Sequence, residues 1–122
     1  MVRDNVWVIG ASMTRFGRFG DKDIIDIAAE AGSQALRDAQ LTMRDMNVLT
    51  VGNIGQADKM VAQRLQAQIG QTGIPAYNVA NACATGASAL RFALLELLGG
   101  GADLGLVVGA EVMGKAGLIG IR

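Results

Sequence analysis

Histidine is absent from this sequence of 122 residues. Enzymes with a cysteine or serine nucleophile most often use histidine as the general base, so such a reaction would need a base other than histidine. The single cysteine, Cys83, excludes a disulfide within the chain. Together with an N-terminus that lacks the apolar stretch of a signal peptide, it predicts a protein of the reducing cytoplasm.

The sequence also has no excess of positive or negative charge, no long uninterrupted apolar run and few aromatic residues. Eleven basic residues balance eleven acidic ones, so attraction to nucleic acid or to an anionic membrane is not expected. Arg91 and Glu96 interrupt the longest apolar stretch, which leaves no membrane-spanning segment. Gly10 and Gly17 do not have the spacing of a dinucleotide-binding loop, so a nicotinamide cofactor is not expected. We expect no covalently bound cofactor and no metal.

What the sequence does have is a 51% hydrophobic composition with short apolar runs that alternate with helical periodicity. Strands are predicted at Val6–Ile9, Val48–Val51, Ala76–Ala80 and Leu104–Val108. Helices are predicted after a cap at Asp21 or Asp23, from Met60 to Ile69 and from Cys83 to Leu98, with a capped turn at Thr42–Asp45. Three strand–helix units in succession favour an α/β fold with a mainly parallel sheet and helices on both faces.

The third predicted helix is apolar almost all round, which predicts burial on every side. Residues 1–122 can hardly supply the second protein layer that such a helix needs. We therefore expect either a partial domain or a chain that assembles with another chain.

Cys83 falls where the third strand should turn into this helix. In the first helical turn, backbone N–H groups without partners and the helix dipole favour a thiolate, and they can also hold an oxyanion. The alternative is a lone cysteine that fills space in the core.

Three blocks of the sequence resemble the N-terminal half of a thiolase. They are VGNIGQA at 51–57, IPAYNVANACATG at 74–86 and VVGAEVM at 107–113, in matching order and spacing. The opening VIGASMTRFG at 8–17 is more similar to the lipid-transfer, or sterol-carrier, type of thiolase. The resemblance implies that residues 1–122 are a partial thiolase-like N-terminal domain.

The resemblance also implies a reaction. Thiolases cleave or form 3-ketoacyl-CoA through an acyl-cysteine intermediate, with coenzyme A thioesters as substrates. Cys83 matches the nucleophile, and its own N–H would help to hold the thioester oxygen. The family's histidine and second cysteine belong to a C-terminal half, which implies a homodimer or a partner chain that supplies this half.

Four further residues are candidates for the site. Asn53, Gln56 and Gly86 are predicted to bind substrate or an oxyanion, although turn formation explains a Gly-Asn loop equally well. Glu111 follows the fourth predicted strand, and we expect it to fix a loop. Asp58, next to this loop, begins a departure from the glycine-rich continuation of many thiolases.

Two other functions stay open. One is a non-catalytic module for assembly or acyl binding that keeps half of the thiolase fold. The other is a relative of the ketoacyl synthases, because the block ACATG at 82–86 also resembles their cysteine block. The cysteine of those synthases usually lies further from the N-terminus.

Overall fold

A computed structural model describes residues 4–70 and 72–114. Its centre is a parallel sheet of three strands, β1 (Val48–Gly52), β2 (Ala76–Val79) and β3 (Gly105–Gly109), in the order β2-β1-β3. The α-helices are α1 (Ile24–Asp38), α2 (Val61–Ile69) and α3 (Thr85–Leu98), and short 3₁₀ turns span Met43–Asp45 and Ala57–Lys59. The predicted α/β fold with a mainly parallel sheet is confirmed.

Helices cover both faces of this sheet. Gly32 of α1 lies against Leu106 and Val108, whereas Gly105 and Gly109 of the same strand face α3. Because alternate residues of a strand point to opposite faces, α1 and α3 lie on opposite sides. The main core lies on the α1 side, where Leu49, Val51, Leu65, Ala28 and Ala62 are fully buried.

The predicted capping interactions are present at α1 and at the first 3₁₀ turn. Asp23 caps α1 by accepting from the N–H of Asp26 at 2.9 Å, and the Asp26 carboxylate accepts from the N–H of Asp23 at 3.1 Å. Hydrogen bonds from Gln68 and from this N–H lower the pKa of Asp26. Thr42 and Asp45 form the second reciprocal pair.

The predicted strand at Val6–Ile9 is not formed in this structure. These residues have no strand or helix geometry, and the side chains of Trp7 and Val8 are 78% and 81% exposed. A strand needs a neighbour for its backbone hydrogen bonds, and no described strand pairs with this segment.

Burial of the third helix on every side is also not seen within the described residues. Ala89 and Ala93 are buried against the sheet, but Leu90 and Leu95 are each 53% exposed. The helix begins at Thr85 rather than at Cys83. The side of α3 away from the sheet therefore presents leucines to solvent in this part of the chain.

Candidate functional site

The carboxyl ends of the three parallel strands lie beside the N-terminus of α3. At Gly52, the last residue of β1, an added Cβ would lie 3.0 Å from the Thr85 carbonyl oxygen. At Gly109, the last residue of β3, it would lie 3.8 Å from the Cα of Gly86. Glycine at position 52 thus lets α3 approach the strand end closely, which places the start of this helix at an edge where α/β proteins usually bind ligands.

A tight turn joins β2 to α3 and carries Cys83. The N–H of Ala84 donates to the carbonyl of Asn81 at 2.9 Å, and Ala82 adopts a left-handed conformation with φ 47°. Such a conformation is strained for a residue other than glycine, so surrounding contacts must hold it.

Thr85 supplies the contacts that hold this turn. Its buried hydroxyl accepts from the N–H of Asn81 at 2.8 Å and donates to the carbonyl of Ala82 at 2.7 Å. The Asn81 side chain in turn donates to the hydroxyl of Ser88 at 2.9 Å. Thr85 is not among the predicted site residues, although threonine beside a helix start is a known signal for such local bonds.

Cys83 is exposed and precedes α3 by two residues. The expectation that it lies within the first helical turn is therefore wrong, and so is the alternative of a cysteine that fills the core. No side chain caps α3, and no acidic residue lies in its first turn. The N–H groups at the start of α3 thus meet no competing carboxylate of that turn, and a helix start of this kind favours negative charge nearby.

The second half of the site is a hydrogen-bonded loop around Asn53, which is buried. The Asn53 amide nitrogen lies 2.8 Å from the carbonyl oxygen of Ala110 and 3.0 Å from Oε1 of Gln56. The Gln56 amide donates to the carbonyl of Val112 at 2.8 Å. Both predicted site residues are therefore engaged in joining the segment after β1 to the segment after β3.

Glu111 completes this loop. Its carboxylate accepts from the N–H groups of Ile54 and Gly55, each at 2.9 Å. Two backbone donors compensate for the partial burial of its charge. The expectation that Glu111 fixes a loop is confirmed.

The structure thus groups the candidate residues into two clusters at one end of the sheet. The Asn53 amide bonds directly to the side chains of Gln56 and Glu111. Cys83 and Gly86 belong to the turn and first helical residues of α3, which contact the ends of β1 and β3 through glycine.

The sequence profile of the thiolase N-terminal domain matches residues 6–119. The chain belongs to the thiolase family. The resemblance on the three sequence blocks is therefore confirmed.

Relatives of this thiolase domain include longer proteins. Sterol carrier protein 2 of Homo sapiens is 40% identical over 121 residues, which are 96% of this chain and 22% of the relative. Acetyl-CoA acetyltransferase of Methanothermobacter thermautotrophicus is 33% identical over 113 residues, covering 89% of this chain and 30% of the relative. The chain thus spans less than a third of the length of either relative.

A solved structure confirms the fold of this thiolase domain. The crystal structure of 3-oxoacyl-[acyl-carrier-protein] synthase III from Aquifex aeolicus VF5 superposes with a TM-score of 0.70 at 26% identity, covering 79% of this chain and 32% of that chain. The described residues contain no group of three or more His, Cys, Asp or Glu side chains arranged for a metal ion. Within the same residues, no helix is long and apolar enough to cross a membrane.

Proposed function

We propose that this chain is the acyl-accepting part of a thiolase, in which Cys83 takes an acyl group from a coenzyme A thioester. The observation that carries the proposal is the exposed Cys83 beside the N-terminus of α3, which has no side-chain cap. Membership of the thiolase family and the acetyl-CoA acetyltransferase relative support the same reaction class.

The proposed step is a transfer between two thiols. The Cys83 sulfur, as thiolate, attacks the carbonyl carbon of the thioester and forms a new carbon–sulfur bond. The bond from that carbon to the coenzyme A sulfur breaks, and coenzyme A leaves as a thiolate. The oxygen carries negative charge in the tetrahedral intermediate, and backbone N–H groups at Cys83 and at the start of α3 are suited to stabilise it.

Gly86 is proposed to leave room for the acyl group beside Cys83. An added Cβ at Gly86 would have no atom within 4 Å, so the space beside this residue is open. Asn53 and Gln56 are proposed to contribute to the substrate side through the loop that they hold. Their amide groups already have protein partners, so we assign them to the shape of the loop and not to proton transfer.

A complete thiolase cycle also needs a general acid and base. This chain has no histidine, and Cys83 is its single cysteine. We propose that a second half of the thiolase fold, in the same polypeptide or a partner chain, supplies these groups and most coenzyme A contacts. The exposed free thiol also agrees with a reducing cytoplasm as the proposed location.

Intact-mass spectrometry after incubation with acetyl-CoA tests the first step. We expect one acetyl group on the chain, none on Cys83→Ala, and release of the group when free coenzyme A is added. One oxyanion donor typically contributes about 10²- to 10³-fold, so acetylation should exceed that of N-acetylcysteine by about 100-fold or more.

Three outcomes would contradict the proposal. Acetylation no faster than that of N-acetylcysteine would remove the evidence for a built site. Binding of acetyl-CoA without any adduct would favour a non-catalytic acyl-binding module. Cleavage of acetoacetyl-CoA at an enzymatic rate by the purified 122-residue chain would show that the reaction needs no second half of the fold.

A further inference from the structure

The chain between β1 and α2 is fastened to β2 at both of its ends. At the β1 end, the N–H of Asn53 donates to the carbonyl of Val79 at 3.2 Å. At the α2 end, the N–H of Ala62 donates to Oδ1 of the Asn78 side chain at 2.8 Å. We call residues 53–62 the bridging segment. Two consecutive residues of β2 thus hold this segment, and the same strand leads to the turn that carries Cys83.

Asn78 caps α2 from the neighbouring strand, because the residue before the helix does not. Met60 occupies that position in a left-handed conformation with φ 50°, and its side chain makes no capping hydrogen bond. A capping side chain usually accepts from the N–H of the second or third helical residue, and Ala62 is the second residue of α2. The Asn78 oxygen supplies this acceptor.

The amide nitrogen of Asn78 extends the attachment. Its Nδ2 donates to Oε1 of Gln63 at 2.7 Å, and Nε2 of Gln63 donates to the carbonyl of Ala76 at 2.9 Å. Together with the bond to Ala62, these contacts join the first turn of α2 to two residues of β2.

Hydrogen bonds also link successive parts of the bridging segment. The N–H of Gln56 donates to Oδ1 of Asn53 at 2.9 Å, and the N–H of Lys59 donates to the carbonyl of Gln56 at 2.9 Å. The carbonyl of Met60 accepts from the N–H of Arg64 at 3.1 Å. A shift at the start of α2 is therefore expected to displace the loop that holds Asn53 and Gln56.

We infer that Asn78 is a positioning residue for acyl transfer, because it fixes the bridging segment relative to the turn that carries Cys83. The inference rests on the proposed function, in which Asn53 and Gln56 shape the substrate side and Cys83 accepts the acyl group. Asn78 is assigned no contact with the reacting atoms. Its loss should therefore weaken the use of the coenzyme A thioester and leave the reactivity of the thiol unchanged.

Two acetyl donors separate these effects in Asn78→Ala. With acetyl-CoA, we expect the second-order rate constant for Cys83 acetylation to fall about five- to tenfold, which corresponds to the loss of about one hydrogen bond. With p-nitrophenyl acetate, a small ester without coenzyme A, the rate constant should stay unchanged, because this reagent needs only an accessible thiolate. Amide hydrogen exchange at Ala62 should become faster in the same variant.

Gln66→Met is the matched control for stability. The Gln66 amide donates to the carbonyl of Ile74 at 2.9 Å and so attaches the other half of α2 to the residue before Pro75. Methionine keeps the length of the side chain and removes this bond. We expect both variants to lower the unfolding midpoint, whereas Gln66→Met should keep the rate constant with acetyl-CoA.

Asn78→Asp is the conservative variant. It retains an oxygen for the N–H of Ala62 and places a negative charge at a helix start. Because such a charge is favourable there, the rate constant with acetyl-CoA should lie within about threefold of that of the unmodified chain.

Three results would overturn the inference. One is an unchanged rate constant with acetyl-CoA in Asn78→Ala, and another is an equal fall in Gln66→Met, since Asn78 would then contribute to stability alone. The third is an equal fall with both acetyl donors, which would place the effect on the thiol itself. In all three cases the unmodified chain is still acetylated and the proposed function stands. No acetylation of the unmodified chain by acetyl-CoA would instead overturn the proposed function, and this inference with it.

Discussion

Thr85 and Glu111 are side chains that hold the backbone of the site in place and are not its proposed nucleophile. Thr85 holds the turn before α3, where its hydroxyl bonds Asn81 and Ala82. Glu111 holds the loop after β1 by accepting from two backbone N–H groups. Each side chain bonds to backbone groups. We therefore expect its substitution to change the geometry of the site without removing a reacting group.

Thr85→Val keeps the shape of this side chain and removes its hydroxyl. We expect a loss of about 2 kcal/mol in the free energy of unfolding, because the N–H of Asn81 and the carbonyl of Ala82 lose a partner. The acetylation rate of Cys83 should fall as well, since the turn is no longer held. Urea unfolding and intact-mass kinetics measure the two effects.

Thr85→Ser is the matched control, because it retains the hydroxyl. It should keep the acetylation rate within about threefold, at some cost in stability for the lost methyl group. Equal acetylation rates for Thr85→Val and the unmodified chain would show that the turn does not depend on this hydroxyl.

Glu111→Gln replaces one accepting oxygen by an amide nitrogen that faces N–H donors. Hydrogen bonds to charged groups contribute about 1.5 to 3 kcal/mol, so we expect a destabilisation in that range. Amide hydrogen exchange at Ile54 and Gly55 should become faster. Asp58→Asn, at a nearby exposed acid outside this network, should change neither; comparable effects in both variants would argue against a specific role for Glu111.

At the scale of elements, the position of α3 depends on glycine at the end of β1. Its small residues Ala89 and Ala93 are buried, and the Thr50 hydroxyl of β1 donates to the carbonyl of Ala89 at 3.0 Å. The backbone of α3 thus lies very close to the backbone of β1. Little space remains between them for any additional atom.

Gly52→Ala tests this contact. The new Cβ would lie 3.0 Å from the carbonyl oxygen of Thr85, so α3 must shift, and overpacking of this kind costs about 1 to 3 kcal/mol. We expect a lower unfolding midpoint together with slower Cys83 acetylation.

Gly86→Ala is the matched control, because a Cβ there meets no atom within 4 Å. This variant should be as stable as the unmodified chain or slightly more stable, because alanine has a higher helix propensity than glycine. If acetylation nevertheless slows, the acyl group passes this residue, as proposed. Equal destabilisation by both variants would contradict the close contact at Gly52.

At the scale of the whole molecule, apolar surface remains uncovered on α3 and beside the sheet within the described residues. Leu90, Leu94 and Leu95 of α3 are each more than a third exposed, and the outer edge of β2 has no strand beside it among the described residues. Exposed strand edges and contiguous apolar patches are typical of association surfaces.

We therefore predict that the chain is not monomeric at micromolar concentration and that the β2 edge contributes to the interface. Light scattering should give a dimer for the unmodified chain. The control Val107→Pro, which places proline in β3 at the opposite edge of the sheet, should also give a dimer. Ala76→Pro should shift the equilibrium toward monomer, because its ring blocks the outer edge of β2. A well-behaved monomer for the unmodified chain would refute the prediction.

Features that depend on residues close in the sequence were predictable. The Asp23 cap of α1 and the Thr42–Asp45 pair involve groups three residues apart, and the helical periodicity reports one buried face directly. The order and spacing of the three blocks around Cys83 likewise identified the family, because they are carried by local motifs.

Features that depend on distant residues were decided only by the tertiary structure. The Glu111 carboxylate bonds the N–H of Ile54 across 57 residues, and no local pattern names that partner. Val6–Ile9 has the composition of a strand, yet strand geometry requires a paired neighbour that the described residues do not provide. The left-handed Ala82 and the start of α3 at Thr85 follow from hydrogen bonds of one buried hydroxyl, so contact geometry, and not residue preference, fixed where Cys83 lies.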